Sequence, residues 1–182
     1  MDPDEYERLG ELTVAAYVEV DPRTIEADDD HEDYASELAD IAGRAVDADV
    51  LVAVDDDGKV LGGVTYVPGP DSSSAEFEGT DTAGIRMLAV GSAAQGRGVG
   101  DALVRACIAR AVAAGKRHIA LHSTDRMTTA HRIYQRLGFV RDETADWAVV
   151  PGFVLWGFRL DIDPPAGQAG QAGQDDRADD HG

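Results

Sequence analysis

The residues that most narrow the choice of fold are Gln95-Gly96-Arg97-Gly98-Val99-Gly100, because of what stands on either side of them. An apolar run, Ile85-Arg86-Met87-Leu88-Ala89-Val90, leads in, and a helical pattern from Val99 to Ala114 leads out. Strand, glycine-rich turn and helix in that order make an anion cradle. Glycine lets the backbone approach a ligand closely. The free N–H groups at the helix start, with the positive end of the helix dipole behind them, favour phosphate. Arg97 adds a positive charge on the same turn. A phosphate-bearing ligand is expected here.

Charge supports that expectation. The net charge is −19, yet it is unevenly spread: residues 1–57 hold 20 acids and 3 bases, whereas residues 58–160 hold 9 acids and 12 bases. The half that contains the turn is thus basic inside an acidic chain, which favours a small anionic ligand there and disfavours nucleic acid as a partner. An acidic surface also has a plainer reading, as a device for solubility or a salty environment. The 182 residues, 43% of them hydrophobic, suit one globular domain. No apolar run approaches the ~20 residues that span a bilayer. The acidic start Met1-Asp2-Pro3-Asp4-Glu5 is unlike a secretory signal. The single Cys107 has no partner for an internal disulfide and falls in an apolar helical pattern, so it reads as a buried thiol. A cytoplasmic protein with no membrane partner is expected.

Along the chain, Tyr6, Leu9, Leu12, Ala16 and Tyr17 recur at helical spacing, which predicts a helix over 3–19, ended by Asp21-Pro22. A second helix is predicted over about 30–45, with Tyr34, Leu38, Ile41 and Ala45 on one face and Asp28 to Asp30 at its start. Val50 to Val54 reads as a buried strand, turned at Asp57-Gly58 into its hairpin partner Val60 to Val67. Gly62-Gly63 inside that partner signals a bulge or a close backbone approach. Residues 68–74 read as an exposed loop, and 76–84 as either loop or early strand. After the helix that ends at Gly115 come a strand, His118 to His122, and a helix, Met127 to Leu137, stopped by Gly138. Phe139-Val140 and Phe153 to Leu160 read as closing strands around Pro151-Gly152. From Asp163 the composition turns to Pro, Gly, Gln, Ala and Asp, so 163–182 is expected to be a disordered tail on a domain of 1–162. The order ααβββαβαββ predicts a mixed sheet with a parallel pair beside the cradle.

These residues resemble the GNAT superfamily of N-acetyltransferases. The likeness rests on Gln95-x-x-Gly98-x-Gly100 directly after the strand Met87 to Val90, and on Ala130-x-x-Ile133-Tyr134-x-x-Leu137-Gly138-Phe139 some thirty residues later. It covers about Val50 to Phe158. It implies an α+β fold: a mixed, mostly antiparallel sheet flanked by helices, with a parallel pair splayed at a cofactor cleft. It also implies acetyl-CoA as co-substrate and direct transfer of the acetyl group to a primary amine of a small molecule or peptide. The backbone of Leu88, Ala89 and Val90 would pair with the pantetheine arm, and the amides of Gln95, Gly96, Arg97, Gly98, Val99 and Gly100 would hold the pyrophosphate. Ala130 would line the same cleft, and Tyr134 would stand near the sulfur. No metal is implied.

The chemistry fits these residues. A departing thiolate, with an ordinary pKa of about 8.5, is eased by a proton donor such as Tyr134. An alkylammonium near pKa ~10 must lose its proton to attack. Many relatives carry a glutamate near the positions of Gly84 and Arg86. This chain instead offers Glu76, Glu78 and Asp81 upstream, His122 on the next strand, or a water chain. Where the second motif commonly begins with Asn, this chain has Met127, and the family's usual first strand is missing or reduced to Met1–Pro3. The two tryptophans, Trp147 and Trp156, either pack or line the acceptor pocket. The acidic N-terminal half hints at a cationic acceptor, and self-association into a homodimer stays open. The alternatives are a non-catalytic acyl-CoA-binding or sensory module, and a nucleotide-binding protein. The second lacks the Lys-Ser/Thr that ends an ATPase-type phosphate loop.

Overall fold

Tyr6, Leu9 and Leu12 share a helical face, and they pack α1 (Pro3–Val20) with Ile41 and Val60 into a small apolar cluster. The computed structural model describes residues 3–26 and 31–162. The expected capping by Asp28 to Asp30 and the expected tail at 163–182 lie outside the described residues. At Asp21 the chain turns into the short α2 (Arg23–Glu26), as the Asp-Pro step predicts, and Asp21 itself is fully buried. Its carboxylate accepts from Arg23 Nε at 2.8 Å and Arg23 Nη2 at 2.7 Å. The second predicted helix is split at Asp40 into α3 (His31–Ala39) and α4 (Ile41–Arg44). Asp40 leaves helical dihedrals, and its Oδ1 accepts from Gly43 N at 2.7 Å. Here the short acidic side chain caps a new helix rather than continuing the old one.

The sheet holds β1 (Asp49–Val54), β2 (Val60–Val67), β3 (Thr82–Val90), β4 (His118–Thr124), β5 (Val140–Arg141), β6 (Trp147–Val150) and β7 (Phe153–Asp161). Their order is β1-β2-β3-β4-β7-β5, with β6 also on β7. Every pair is antiparallel except β3 with β4. This is the expected mixed α+β architecture. Two strand readings change. The first strand is an edge strand, so it is half-buried rather than buried. The β6 strand was not anticipated, because Ala145 to Val150 carries no alternation and pairs only through the turn at Gly152. The loop expected to be exposed over 68–74 is also tied down. Asp47 accepts from Ser72 Oγ at 2.9 Å and Ser73 N at 2.8 Å, and Ser72 and Ser74 are buried.

Two helices complete the fold: α5 (Val99–Ala113) and α6 (Thr128–Arg136), each ended by a left-handed glycine, Gly115 and Gly138. The main core lies between α5 and one sheet face, where Leu103, Val104 and Cys107 meet Ile85, Ile119 and Leu121. Alternation along the strands sends Gly63 to the other face, under Leu9 of α1. Over β2 both faces are covered, by α5 and α1, and a ligand can enter where neighbouring strands part.

Candidate active site

The strands β3 and β4 pair only from Thr82 with His118 to Ile85 with Leu121. Beyond that point they diverge, and the cause is local to β3. Between Gly63 and Thr65 of β2 the pairing register slips, with β3 moving from Ala89 to Arg86. Met87 sits in this bulge at φ +53, the one non-glycine with positive φ among the described residues. A bulge bends its strand and increases local twist. On its inner side β3 keeps β2, with Gly62 opposite Val90 and Gly63 opposite Ala89. Its other edge at Leu88–Val90 has no strand beside it, so these backbone groups are free to accept a peptide-like arm.

Leu88, Ala89, Val90, Gln95, Gly100 and Ala130 line one cleft of about 150 Å³ along that edge. Six of the predicted cofactor residues are thereby brought together. The other four, Gly96, Arg97, Gly98 and Val99, form the turn at its end, with Gln95 to Gly98 exposed. Gly96 and Gly98 stand at φ +74 and +81, a left-handed backbone that an L side chain resists. Gly98 opens α5, whose first helical bond runs from Ala102 N to Gly98 O, so the N–H groups of Val99 to Asp101 are not used by the helix. Asp101 would repel an anion here, but Arg136 and Arg105 bind it at 2.5 and 2.6 Å, and these bonds, Arg136's first, hold its pKa low. Gly100 has a packing reason: a Cβ there would meet Ile133 Cδ1 at 3.0 Å. These features fit a pyrophosphate at the turn and an extended arm on the strand.

A second, smaller cavity of about 40 Å³ lies where the strands part, and Glu76 is its one carboxylate. Glu76 Oε1 pairs with Arg86 Nη2 at 2.7 Å, and its Oε2 faces His122 Nδ1 at 3.1 Å. The other ring nitrogen, Nε2, donates to Ala145 O at 2.8 Å. Both ring nitrogens therefore face acceptors, which favours the doubly protonated ring. Its pKa lies above the usual 6.5, chiefly through the Glu76 bond. Thr124 Oγ1 is buried at the same cavity without a hydrogen-bond partner.

Of the expected bases, Glu76 and His122 line the small cavity and Glu78 does not. Glu78 is exposed on the wall of an open groove of about 530 Å³ that lies beyond Glu76 and His122. Asp81 is further off, 4.0 Å from His118. Tyr134 is buried, its ring 5.7 Å from that of Phe139 and 5.8 Å from that of Phe158. Burial drives its pKa up, so the phenol stays protonated. Sequence reasoning missed Tyr17, which lines both the cleft and the small cavity; burial pushes its pKa up to about 12. In the sequence Tyr17 is one more apolar position on an amphipathic helix, and nothing in its spacing marks it out. Arg126 reaches the cleft wall and lies 3.7 Å from Asp21, while Arg132 is exposed. Trp156 packs under Arg141 at 4.9 Å, and Trp147 lines the groove.

The model of the acetyltransferase (GNAT) family matches residues 7–139. No curated protein matches the chain. Among solved structures, an acetyltransferase of the GNAT family from Staphylococcus aureus Mu50 superposes with a TM-score of 0.66 at 14% identity, covering 90% of this chain and 96% of that one. A histone acetyltransferase HPA2 and related acetyltransferase from Corynebacterium glutamicum gives 0.66 at 24% identity, covering 91% and 96%. The yncA protein of Salmonella typhimurium, solved with its cofactor acetyl-CoA, gives 0.61 at 20% identity, covering 96% and 95%. These likenesses are ones of fold. The family match, which takes in the bulged strand, the glycine turn and the tyrosine helix, decides the rest: the chain belongs to the GNAT acetyltransferase family and is an acetyl-CoA-dependent acyltransferase.

Proposed function

We propose that the protein moves an acetyl group directly from acetyl-CoA to a primary amine of a small molecule or peptide. One observation carries the reading. The open edge of β3 runs from the glycine turn to a cavity in which Glu76 is the one carboxylate among the described residues. The turn amides of Gln95 to Gly100 hold the pyrophosphate, and Leu88 to Val90 hold the pantetheine arm beside Ala130. When bound, acetyl-CoA supplies an activated thioester.

The protein's own part is to position, to take one proton and to give another. Glu76 is fixed from two sides by Arg86 and His122, so its carboxylate is presented in one orientation. It draws in the ammonium and takes one proton from it, which frees the lone pair to attack the acyl carbon; the second N–H proton, acidified once nitrogen bonds to that carbon, passes to solvent as the C–S bond breaks. Tyr134, protonated at all working pH, donates to the leaving sulfur. Holding both reactants together supplies up to ~7–11 kcal/mol. Direct transfer agrees with the state of the one cysteine: Cys107 is fully buried and its thiol is pushed up to about 12, chiefly by burial, so no thiolate stands ready to carry the acetyl group. The net charge of −19 argues against nucleic acid as acceptor.

A panel of amines with acetyl-CoA, read by free thiol and by intact-protein mass, tests this. Thiol release that needs an amine, with no acetyl adduct on the protein alone, is the expected result. An acetylated protein formed without acceptor would overturn direct transfer.

A further inference from the structure

The groove beyond Glu76 and His122 is the largest space in contact with the small cavity, since those two residues line both. Its floor is Thr82, His118 and Ala120, on the sheet face opposite α5, and at about 530 Å³ it falls within the usual range for small-molecule sites. One wall is the loop Ala75–Glu78 and the other the segment that carries Asp142, Ala145 and Trp147.

The charges in this groove are not balanced. Its one arginine, Arg159, is engaged by Asp161 at 3.1 Å, and His118 meets the same carboxylate at 2.8 Å. Glu76 is held by Arg86 and His122. Glu78 is left as an exposed carboxylate with no cationic partner among the described residues, and Asp142 accepts from Thr144 N and Oγ1, with the charge of Arg159 and the Ala145 amide also holding its pKa low. On the wall that carries Asp142, across the groove from Glu78, Trp147 stays 49% exposed although it is a tryptophan, its ring edge-on to His122 with centroids 6.4 Å apart. A groove with an unpaired carboxylate on one wall and an accessible aromatic ring on the other suits an organic cation between them. Glu76 and Glu78 stand two residues apart in one loop, with their Cα atoms at most about 7 Å apart.

Resting on the acetyl-transfer reading above, we propose that this groove is the acceptor site and selects a short aliphatic amine that carries a second cation. The reacting nitrogen sits at Glu76, and the second cation lies against Glu78 and Trp147. The acidic residues that select the acceptor are then those of this groove rather than those of the N-terminal helices.

Calorimetry on the CoA-loaded protein, with diaminobutane against butylamine, reads the site without turnover. The wild type is expected to bind diaminobutane about tenfold more tightly. Glu78→Gln and Trp147→Ala should each bring that ratio towards one, and Glu78→Asp should keep most of it. A wild-type ratio near one, or a Glu78→Gln ratio equal to the wild type's, overturns the proposal even if other amines are acetylated. Selective diamine binding with no acetylated product would overturn the acetyl-transfer reading and leave the groove's selectivity standing.

Discussion

Replacing Gly62 by Ala tests whether the open edge of β3 is what holds acetyl-CoA. Gly62 pairs with Val90. A Cβ at position 62 would lie 2.5 Å from Ala89 O and 3.1 Å from Val90 Cα. The first distance is about 0.8 Å shorter than a close C···O contact of ~3.3 Å. Both obstacles are backbone, so no rotamer change relieves them, and β3 must shift outward at the very residues proposed to face the cofactor. Overpacking of this kind costs about 1–3 kcal/mol. Because Gly62 has an ordinary φ, alanine also recovers about 0.4–1 kcal/mol by restricting the unfolded chain. A net loss of about 1–2 kcal/mol lowers Tm by roughly 2–8 °C for a chain of this size. Thermal unfolding and the KM for acetyl-CoA are the two readouts. A rise in KM of about three- to tenfold is expected with the Tm loss. Gly58→Ala is the control: at φ +77 with nothing within 4 Å, it strains the β1–β2 turn without touching β3. A Gly62→Ala protein with wild-type Tm and KM, or a KM change matched by Gly58→Ala, would refute the reasoning.

Tyr134→Phe should lower kcat about 10²-fold or more with KM for acetyl-CoA little changed. If instead Tyr17→Phe produces that loss, the donor is the phenol that lines both cavities. For His122 the sign is fixed by its raised pKa: its bond to Glu76 stabilises the fold fully below the unfolded value near 6.5 and fades as pH rises through the folded value. An NMR titration should place His122 above 6.5 in the wild type and lower in Glu76→Gln; equal values in the two would remove the pairing from the account.

What could be read in the sequence was what is local in the chain. Gly96 and Gly98 mark a left-handed turn, Gly115 and Gly138 end helices, and Gly62-Gly63 announces a close approach that the structure places under Ala89 and Leu9. Edge status was not legible, because Val50 to Val54 looks the same whether it lies at the rim or the centre of a sheet. Nor was the break at Asp40, where one side-chain hydrogen bond to Gly43 outweighs a continuous apolar stripe. The site itself was half legible. The cleft along β3 follows from strand, turn and helix. Glu76 meets His122 across 46 residues, and a half-buried ion pair with Arg86 helps to hold it there. No spacing rule distinguishes Glu76 from Glu78. The fold sends one into the cavity and leaves the other exposed, on the groove wall.

The account stands on Glu76 taking the amine's proton where β3 and β4 part. Its most direct test is to quantify acetylated amine and free thiol together for the wild type and for Glu76→Gln. Equal amounts of the two products, with kcat reduced about 10²–10⁴-fold in the variant and KM for acetyl-CoA unchanged, are the predicted result. A variant that turns over at the wild-type rate, or thiol released without acetylated amine, would contradict it.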